Sequence, residues 1–410
     1  MSCPDALYQW TTEIATHLPH LSKPQAAVLA LWSFGMVEAR SCALTAVASF
    51  LALWLGRKEN TVRQQLREFC YPASDKRGRR RQEVRVETCF GPLLRWVVEG
   101  YGGKQVALAL DATHLGDRFI VLAVSVVYRG CAIPVAWTIL KATEKHAWRG
   151  EWLRMLRQVR PALPRHWTVI VLADRGLYAR WLFRRIVRLG WHPFLRINRG
   201  GTFRPAGQKK FQPLAHFVPQ PGTRWRGCGT AFSTKECRLQ CTLLADWEAG
   251  CAEPWLILTD RPPAVSDAGW SGLRAWIEQS FKMIKRGGWQ WQRTRMTDPE
   301  RAARLWLAVS VATLWLLRVG GAAEVTIPES TLPALGTLDL GPGLPAPRRA
   351  RRATRLRLVS IFRRGWFLIH VALLRHDPLP LGAFLPEPWP AVPNLAPPTV
   401  SEGADHAQAA

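Results

Sequence analysis

The 410-residue chain has little negative charge. It carries 30 Asp and Glu against 56 Lys and Arg, which leaves a formal net charge of +26. Lysine is scarce too: 11 of the cations are Lys and 45 are Arg. An excess of this size argues against a simple small-molecule enzyme or an extracellular binding module. It suits a polyanionic partner, because each phosphate neutralised releases condensed counterions. Arginine grips phosphate with a planar fork, where lysine acts as a point charge. A GC-rich genome also favours Arg codons and accounts for the Arg:Lys ratio as readily. It accounts less well for the net charge.

Other absences narrow the class. The nine cysteines form no CxxC pair. Their tightest group, Cys228, Cys237, Cys241 and Cys251, has no zinc-site spacing, so reduced cytosolic thiols are expected. Cys3, Asp5 and Glu13 stand where a secretory leader would need an apolar core, so none is expected. The longest apolar runs, 41–56 and 305–317, fall short of the roughly 18 residues of a membrane span and read as buried helices. No internal repeat is visible. Hydrophobic residues make up 48% and charged residues 21%, enough to bury real cores. The length suggests about two or three domains.

What is present has a clear order. Residues 44–55 predict an apolar helix closed by Gly56. Asn60 is placed to cap a second helix over 61–71, with Val62, Leu66 and Phe69 inward and Arg63, Gln64 and Arg67 outward. This is a helix-turn-helix pattern for DNA, although plain helical hairpins share it. A basic loop follows with Lys76, Arg77, Arg79, Arg80 and Arg81, either solvated or holding phosphates. From residue 105 the texture changes. Strands are predicted over 105–110, 119–128 and 131–140, a helix over 148–160, a strand over 167–173, a helix over 179–189 and a strand over 192–197. Tight connections make the first three strands an antiparallel meander, and helical crossovers bring the later strands in parallel. This is the element order of an RNase H-like α/β domain. Residues 200–262 read as a β-rich insertion. Helical periodicity returns over 267–286, and again from the capping signature Thr297-Asp298-Pro299-Glu300 to about Val319.

Two acids close matching strands in this order, Asp111 on the first and Asp174 on the fourth. Neighbouring strands would let their carboxylates share one ion. A lone Asp at such a place is equally a turn or cap residue. The third acid is Glu278. At about 100° per residue, Arg274, Glu278 and Lys285 fall on one stripe, and Leu273, Ile277, Phe281 and Ile284 on another. Taken alone, Arg274 and Glu278 also fit an ordinary i, i+4 ion pair.

Together these residues resemble the DDE triad of RNase H-like transposases. The helix matches the Y-x2-R-x3-E-x6-K signature of the insertion-sequence four group of bacterial transposases at Arg274, Glu278 and Lys285, with Ser271 at the Tyr position. The likeness extends to ADRGLY (173–178), RTRMTDPERAARLWL (293–307) and SIFRRGW (360–366), and it covers most of residues 25–375. It implies two Mg²⁺ ions (Mn²⁺ as substitute) on Asp111, Asp174 and Glu278. It implies cut-and-paste cleavage at terminal inverted repeats, transfer of 3′-OH ends into target double-stranded DNA, and a homodimer on DNA. It places the protein at the bacterial nucleoid in the cytoplasm, with no membrane partner. DNA contacts are expected from Arg274, Lys285, Lys282, Arg175, Thr113, Arg63, Arg67, Arg79 and Arg80. His114, next to the first acid, is a loop residue or a phosphate contact. Asp117 reads as solvated, and Asp260 and Asp267 as turn and cap. A flipped base would need an aromatic platform, with Trp225, Trp247, Trp289 and Trp291 as candidates beside ordinary core packing.

The expected organisation is a helical DNA-binding domain (1–100), an RNase H-like core (101–199 and 263–320) split by the insertion (200–262), a linker (321–347), a basic helical segment (348–376) and a Pro-rich, partly disordered tail (377–410). The alternatives are a nuclease or resolvase that cuts without joining, and a non-catalytic DNA-binding derivative.

Overall fold

Among the described residues, five α-helices precede the first strand: α1 (Cys3–His17), α2 (Lys23–Ala39), α3 (Leu44–Leu55), α4 (Glu59–Phe69) and α5 (Glu87–Val98). The computed structural model describes residues 3–76, 82–102, 104–145, 147–326, 359–389 and 392. The basic loop residues Arg77, Arg79, Arg80 and Arg81, and the cluster from Arg348 to Arg357, lie outside the described residues. Gly56 closes α3 in the left-handed conformation at φ 61°, which costs glycine nothing. Val62, Leu66 and Phe69 are buried on α4, while Arg63, Gln64 and Arg67 are exposed. The start of α4 differs from expectation. Lys58 holds the cap position without a side-chain bond, so Asn60 lies in the first turn.

The chain divides into two compact units, Met1–Leu195 with Ser271–Pro388 and Arg196–Trp270 with Trp389–Ala410. The first unit contains β1 (Gln105–Leu115), β2 (Phe119–Tyr128), β3 (Cys131–Lys141), α6 (Trp148–Val159), β4 (Thr168–Ala173), α7 (Arg180–Arg188) and β5 (His192–Arg196). These strands lie in the order β3-β2-β1-β4-β5. The β1–β2 and β2–β3 pairs are antiparallel, and the β1–β4 and β4–β5 pairs are parallel. Every residue of β2 is buried, as its unbroken apolar run requires of a strand covered on both faces.

The second unit contains β6 (Thr202–Pro205), β7 (Gln212–Pro213), the short α8 (Leu214–Phe217), β8 (Arg224–Ala231), β9 (Leu239–Asp246) and β10 (Trp255–Thr259). Its strands run β10-β9-β8-β6-β7, each antiparallel to its neighbour. Phe203, Phe217 and Trp225 form its aromatic centre, with ring centroids 4.5–5.8 Å apart. Arg199 stacks over Trp247 and Arg196 over Trp255. Cys228, Cys237, Cys241 and Cys251 are free thiols.

The first unit is completed by α9 (Ala275–Lys282), α10 (Pro299–Thr326) and α11 (Ile361–Leu374). Asp298 caps α10 by accepting the Arg301 N–H at 2.8 Å, so the cap falls on Asp298 rather than Thr297. At 28 residues α10 is long and apolar enough to cross a membrane, but 89% of its most apolar window is buried inside the protein. It packs on α2, β3 and α11 and ties the N-terminal helices to the sheet.

The helix runs seven residues beyond Val319, where the composition predicts a linker from residue 321. Gly320 and Gly321 do not stop it; they admit neighbours. A Cβ at Gly320 would overlap the Ile361 carbonyl, and one at Gly365 of α11 would overlap the Leu316 carbonyl. The Pro-rich stretch 377–388 is an ordered strap. Leu379 and Phe384 are buried, and Pro380 accepts from Trp315 Nε1 at 2.9 Å. Arg129 donates to the Leu385 carbonyl and pairs with the buried Glu324.

Gly320→Ala forces apart two backbones that nothing else holds open, so it should cost about 1–3 kcal/mol or more in denaturant unfolding. At Gly150 of α6, by contrast, a Cβ would meet nothing within 4 Å. Gly150→Ala should gain about 0.5–1 kcal/mol in the same assay.

Candidate active site

The register of β1 against β4 builds the site. The parallel pairing runs from Gln105↔Thr168 to Ala109↔Leu172. The same offset, carried two residues on, sets Asp111 beside Asp174. Here β4 has ended at Ala173, but β1 continues to Leu115 because its other edge still pairs with β2 down to Leu115↔Phe119. Asp111 therefore lies inside its strand, not at its end. It stands where the parallel neighbour leaves the sheet, which opens a notch for its side chain. Asp174 begins a tight turn and accepts the Leu177 N–H on Oδ1 at 3.1 Å. A Cβ at Gly176 would lie 3.4 Å from that same oxygen, in ordinary contact.

The third carboxylate comes from a helix of three kinds. A 3-10 stretch (Ala268–Arg274) opens on Asp267, which accepts the Gly269 N–H at 2.7 Å. It passes into α9 and then into a π-helical turn (Met283–Gly287). Leu273, Ile277, Phe281 and Ile284 are buried, as the apolar stripe predicts. Ser280 is buried among them, and its Oγ accepts the Ala132 N–H at 2.6 Å, which fastens α9 to the start of β3. Ser271, at the signature's Tyr position, is 5% exposed.

One guanidinium joins the parts. Arg274 Nη2 donates to Glu278 Oε1 at 2.6 Å and Nη1 to Asp111 Oδ2 at 3.2 Å. Burial pushes the Asp111 carboxyl up to about 6. Asp174 and Glu278 push the same way, while Arg274 and the Ala112 N–H pull it down. Lys285 in the π turn is lowered by burial and by Arg286, and Asp111 acts as its attractive partner. Asp111, Asp174, Glu278, Arg274 and Lys285 thus form one electrostatic cluster. Among the described residues, no three His, Cys, Asp or Glu side chains stand ready to hold one ion together. Arg274 is the cation between two of the carboxylates. The donor chemistry nevertheless fits a hard divalent ion, because the three acids offer carboxylate oxygens and the Asp111 carboxyl stays raised even with Arg274 against it.

The other expected contacts divide. Arg175, directly after Asp174, and Lys282, one turn beyond Glu278, are exposed. Thr113 shares the Asp111 face of β1 but is 8% exposed, so it packs rather than projects. Arg63 and Arg67 lie on α4, apart from the carboxylates along the chain, and Arg79 and Arg80 are outside the described residues. His114 and Asp117 are exposed. Trp289 and Trp291 are core residues, with Trp289 Nε1 donating to Thr313 and Trp291 stacked on Phe119. Sequence reasoning missed Ser280, although a lone hydroxyl within a buried stripe was its signal. It also missed Arg118, which reaches the carbonyls of Gln292, Thr294 and Met296 and has no local sequence signal.

A carboxyl raised from 3.8 to about 6 holds its proton more tightly folded than unfolded. Its contribution to stability is therefore present at low pH and lost as pH rises from about 4 to about 6. Asp111→Asn should gain stability relative to the unsubstituted, metal-free protein between about pH 3 and pH 7, by on the order of 2–3 kcal/mol. Parallel pH profiles of the two proteins would contradict the assigned shift.

Residues 139–315 match the family model described as Transposase DDE domain. The matched stretch begins within β3 and includes Asp174, Arg274, Glu278 and Lys285. Asp111 lies ahead of it. A search of curated proteins finds no match. The family-model match supports a DDE transposase.

Proposed function

We propose that this chain is a transposase of the insertion-sequence four group. In this reading it cuts phosphodiester bonds at the terminal inverted repeats of its element and joins the freed 3′-OH ends to target DNA. The observation that carries the reading is the Arg274 bridge. It ties the strand-borne Asp111, set beside Asp174, to Glu278 of the signature helix, in a chain whose residues 139–315 match a transposase domain. The strand order β3-β2-β1-β4-β5 supports an RNase H-like core.

Asp111, Asp174 and Glu278 would hold Mg²⁺, with Mn²⁺ as substitute; the bound ions supply activation of the attacking oxygen and stabilisation of the leaving one. Asp111 feels both other carboxylates, which makes it the natural shared ligand. Arg274 is placed to exchange its carboxylate partners for a DNA phosphate, which its planar fork grips in two-point fashion. Lys285 provides a second cation beside Asp111, while Lys282 and Arg175 flank the site at the surface. Joining two element ends requires at least two copies on DNA, and the compartment is that of the bacterial nucleoid.

The test is a nicking and joining assay with Mg²⁺, on DNA carrying the repeats that flank the gene. Cut and joined products are expected. Asp111→Asn, Asp174→Asn and Glu278→Gln should each abolish both steps. Arg274→Lys keeps the charge but loses the fork, and should slow cleavage roughly 10–100-fold, the equivalent of about 1.5–3 kcal/mol. An Asp111→Asn protein that still cuts and joins would overturn the assignment. Cutting without joining would leave a nuclease.

A further inference from the structure

Away from the carboxylates, the first unit holds a cleft of about 610 Å³ whose lining includes Arg63, Arg67, Tyr71, Arg293, Arg295 and Arg301. Two walls form it. One is α4, which turns Arg63 and Arg67 toward the cleft. The other is the segment between the π turn and α10. Arg118, in the β1–β2 turn, holds that second wall by donating to the Gln292, Thr294 and Met296 carbonyls. Its hold on alternate carbonyls leaves the intervening Arg293 and Arg295 exposed.

The charge balance of the cleft is lopsided. Arg301 pairs with Asp75 at 2.7 Å and stacks over Tyr71, and Arg67 also approaches that ring. Asp298 at the rim is engaged as the α10 cap. Among the described residues, no salt bridge reaches Arg63, Arg67, Arg293 or Arg295. Four such guanidinium groups facing one concavity repel one another, and a polyanion relieves that repulsion.

We infer that this cleft grips the sugar-phosphate backbone of DNA, and that α4 holds DNA there without reading its bases. A recognition helix must enter a major groove about 12 Å wide and so needs an open approach. The arginine face of α4 instead looks across at a second basic wall. Backbone contacts carry affinity and salt dependence but no sequence information. The inference rests on the transposase reading for its ligand, and it adds Arg293 and Arg295 to the DNA-binding set.

The test is equilibrium binding by fluorescence anisotropy of the full chain across a salt series, with EDTA present to prevent chemistry. Two short duplexes are compared, one from the gene's flank and one of shuffled sequence. The variants are Arg63→Ala with Arg67→Ala on one wall, and Arg293→Ala with Arg295→Ala on the other. All four side chains are exposed, and unchanged thermal unfolding checks the fold. Each pair should lower the slope of log affinity against log salt by about two, and weaken both duplexes by the same factor. If the unsubstituted protein binds steeply and neither pair changes the slope, the cleft is wrong and the transposase reading stands. If the α4 pair weakens only the flank duplex, α4 reads bases and the inference fails. If the unsubstituted protein binds neither duplex, both readings fall.

Discussion

A carboxylate buried beside two others is the constraint to which the rest of the site responds. The parallel pairing of β1 with β4 carries Asp111 and Asp174 to the same level of the sheet, and Glu278 comes near enough to add its own field. Backbone pairing up to Ala109 and Leu172 sets the level at which the two residues leave the β1–β4 ladder. The rest of the site answers it with positive charge. Arg274 bridges two of the acids, and Lys285 is drawn toward Asp111 from a turn wound more loosely than an α-helix. The strand that carries Asp111 continues past its partner only because β2 still holds its other edge. The notch that exposes the carboxylate is thus a product of unequal strand lengths.

Much of this was legible in the sequence because it rests on period and punctuation. Unbroken apolar runs followed by Asp111 and Asp174 marked buried strands, and the spacing of Leu273, Ile277, Phe281 and Ile284 marked the face on which the Glu278 helix packs. The misreadings have a common physical source. Run length set the end of one strand at Asp111, but pairing to a neighbour decides where a strand stops. The small-residue composition from 321 read as a linker, yet Gly320 and Gly321 lie within α10 and make room for α11 and for Tyr128. Neither a β partner nor a close helix crossing can be seen in a local window. The same holds for Arg118, whose partners lie more than 170 residues away.

The long helix α10 explains why the N-terminal helices and the sheet share one unit. It is apolar almost throughout, which a lone surface helix could not be. It meets this demand by packing on α2 on one side and β3 on another, while α11 crosses it where glycines let the backbones approach. The strap over 377–388 closes around the same centre through Trp315 and Arg129. A Pro-rich composition would otherwise suit a loose tail. Here two buried side chains and satisfied carbonyls hold it in place.

The break in the first unit also bears on the order of folding. The chain leaves that unit at Leu195 and returns at Ser271, so β1 to β5 are synthesised long before α9 and α10, which pack on β3. At about 5–20 residues per second, the interval before α10 emerges is on the order of ten seconds. During that time β3 has α5 and α6 against it but lacks α9 and α10, and contacts of large sequence separation are slow to close. The separate β-rich unit is made within this gap. The nascent chain therefore carries a sheet that is only partly covered until α10 is made. Its vulnerable period lies in synthesis, before Glu278 exists to join the other two acids.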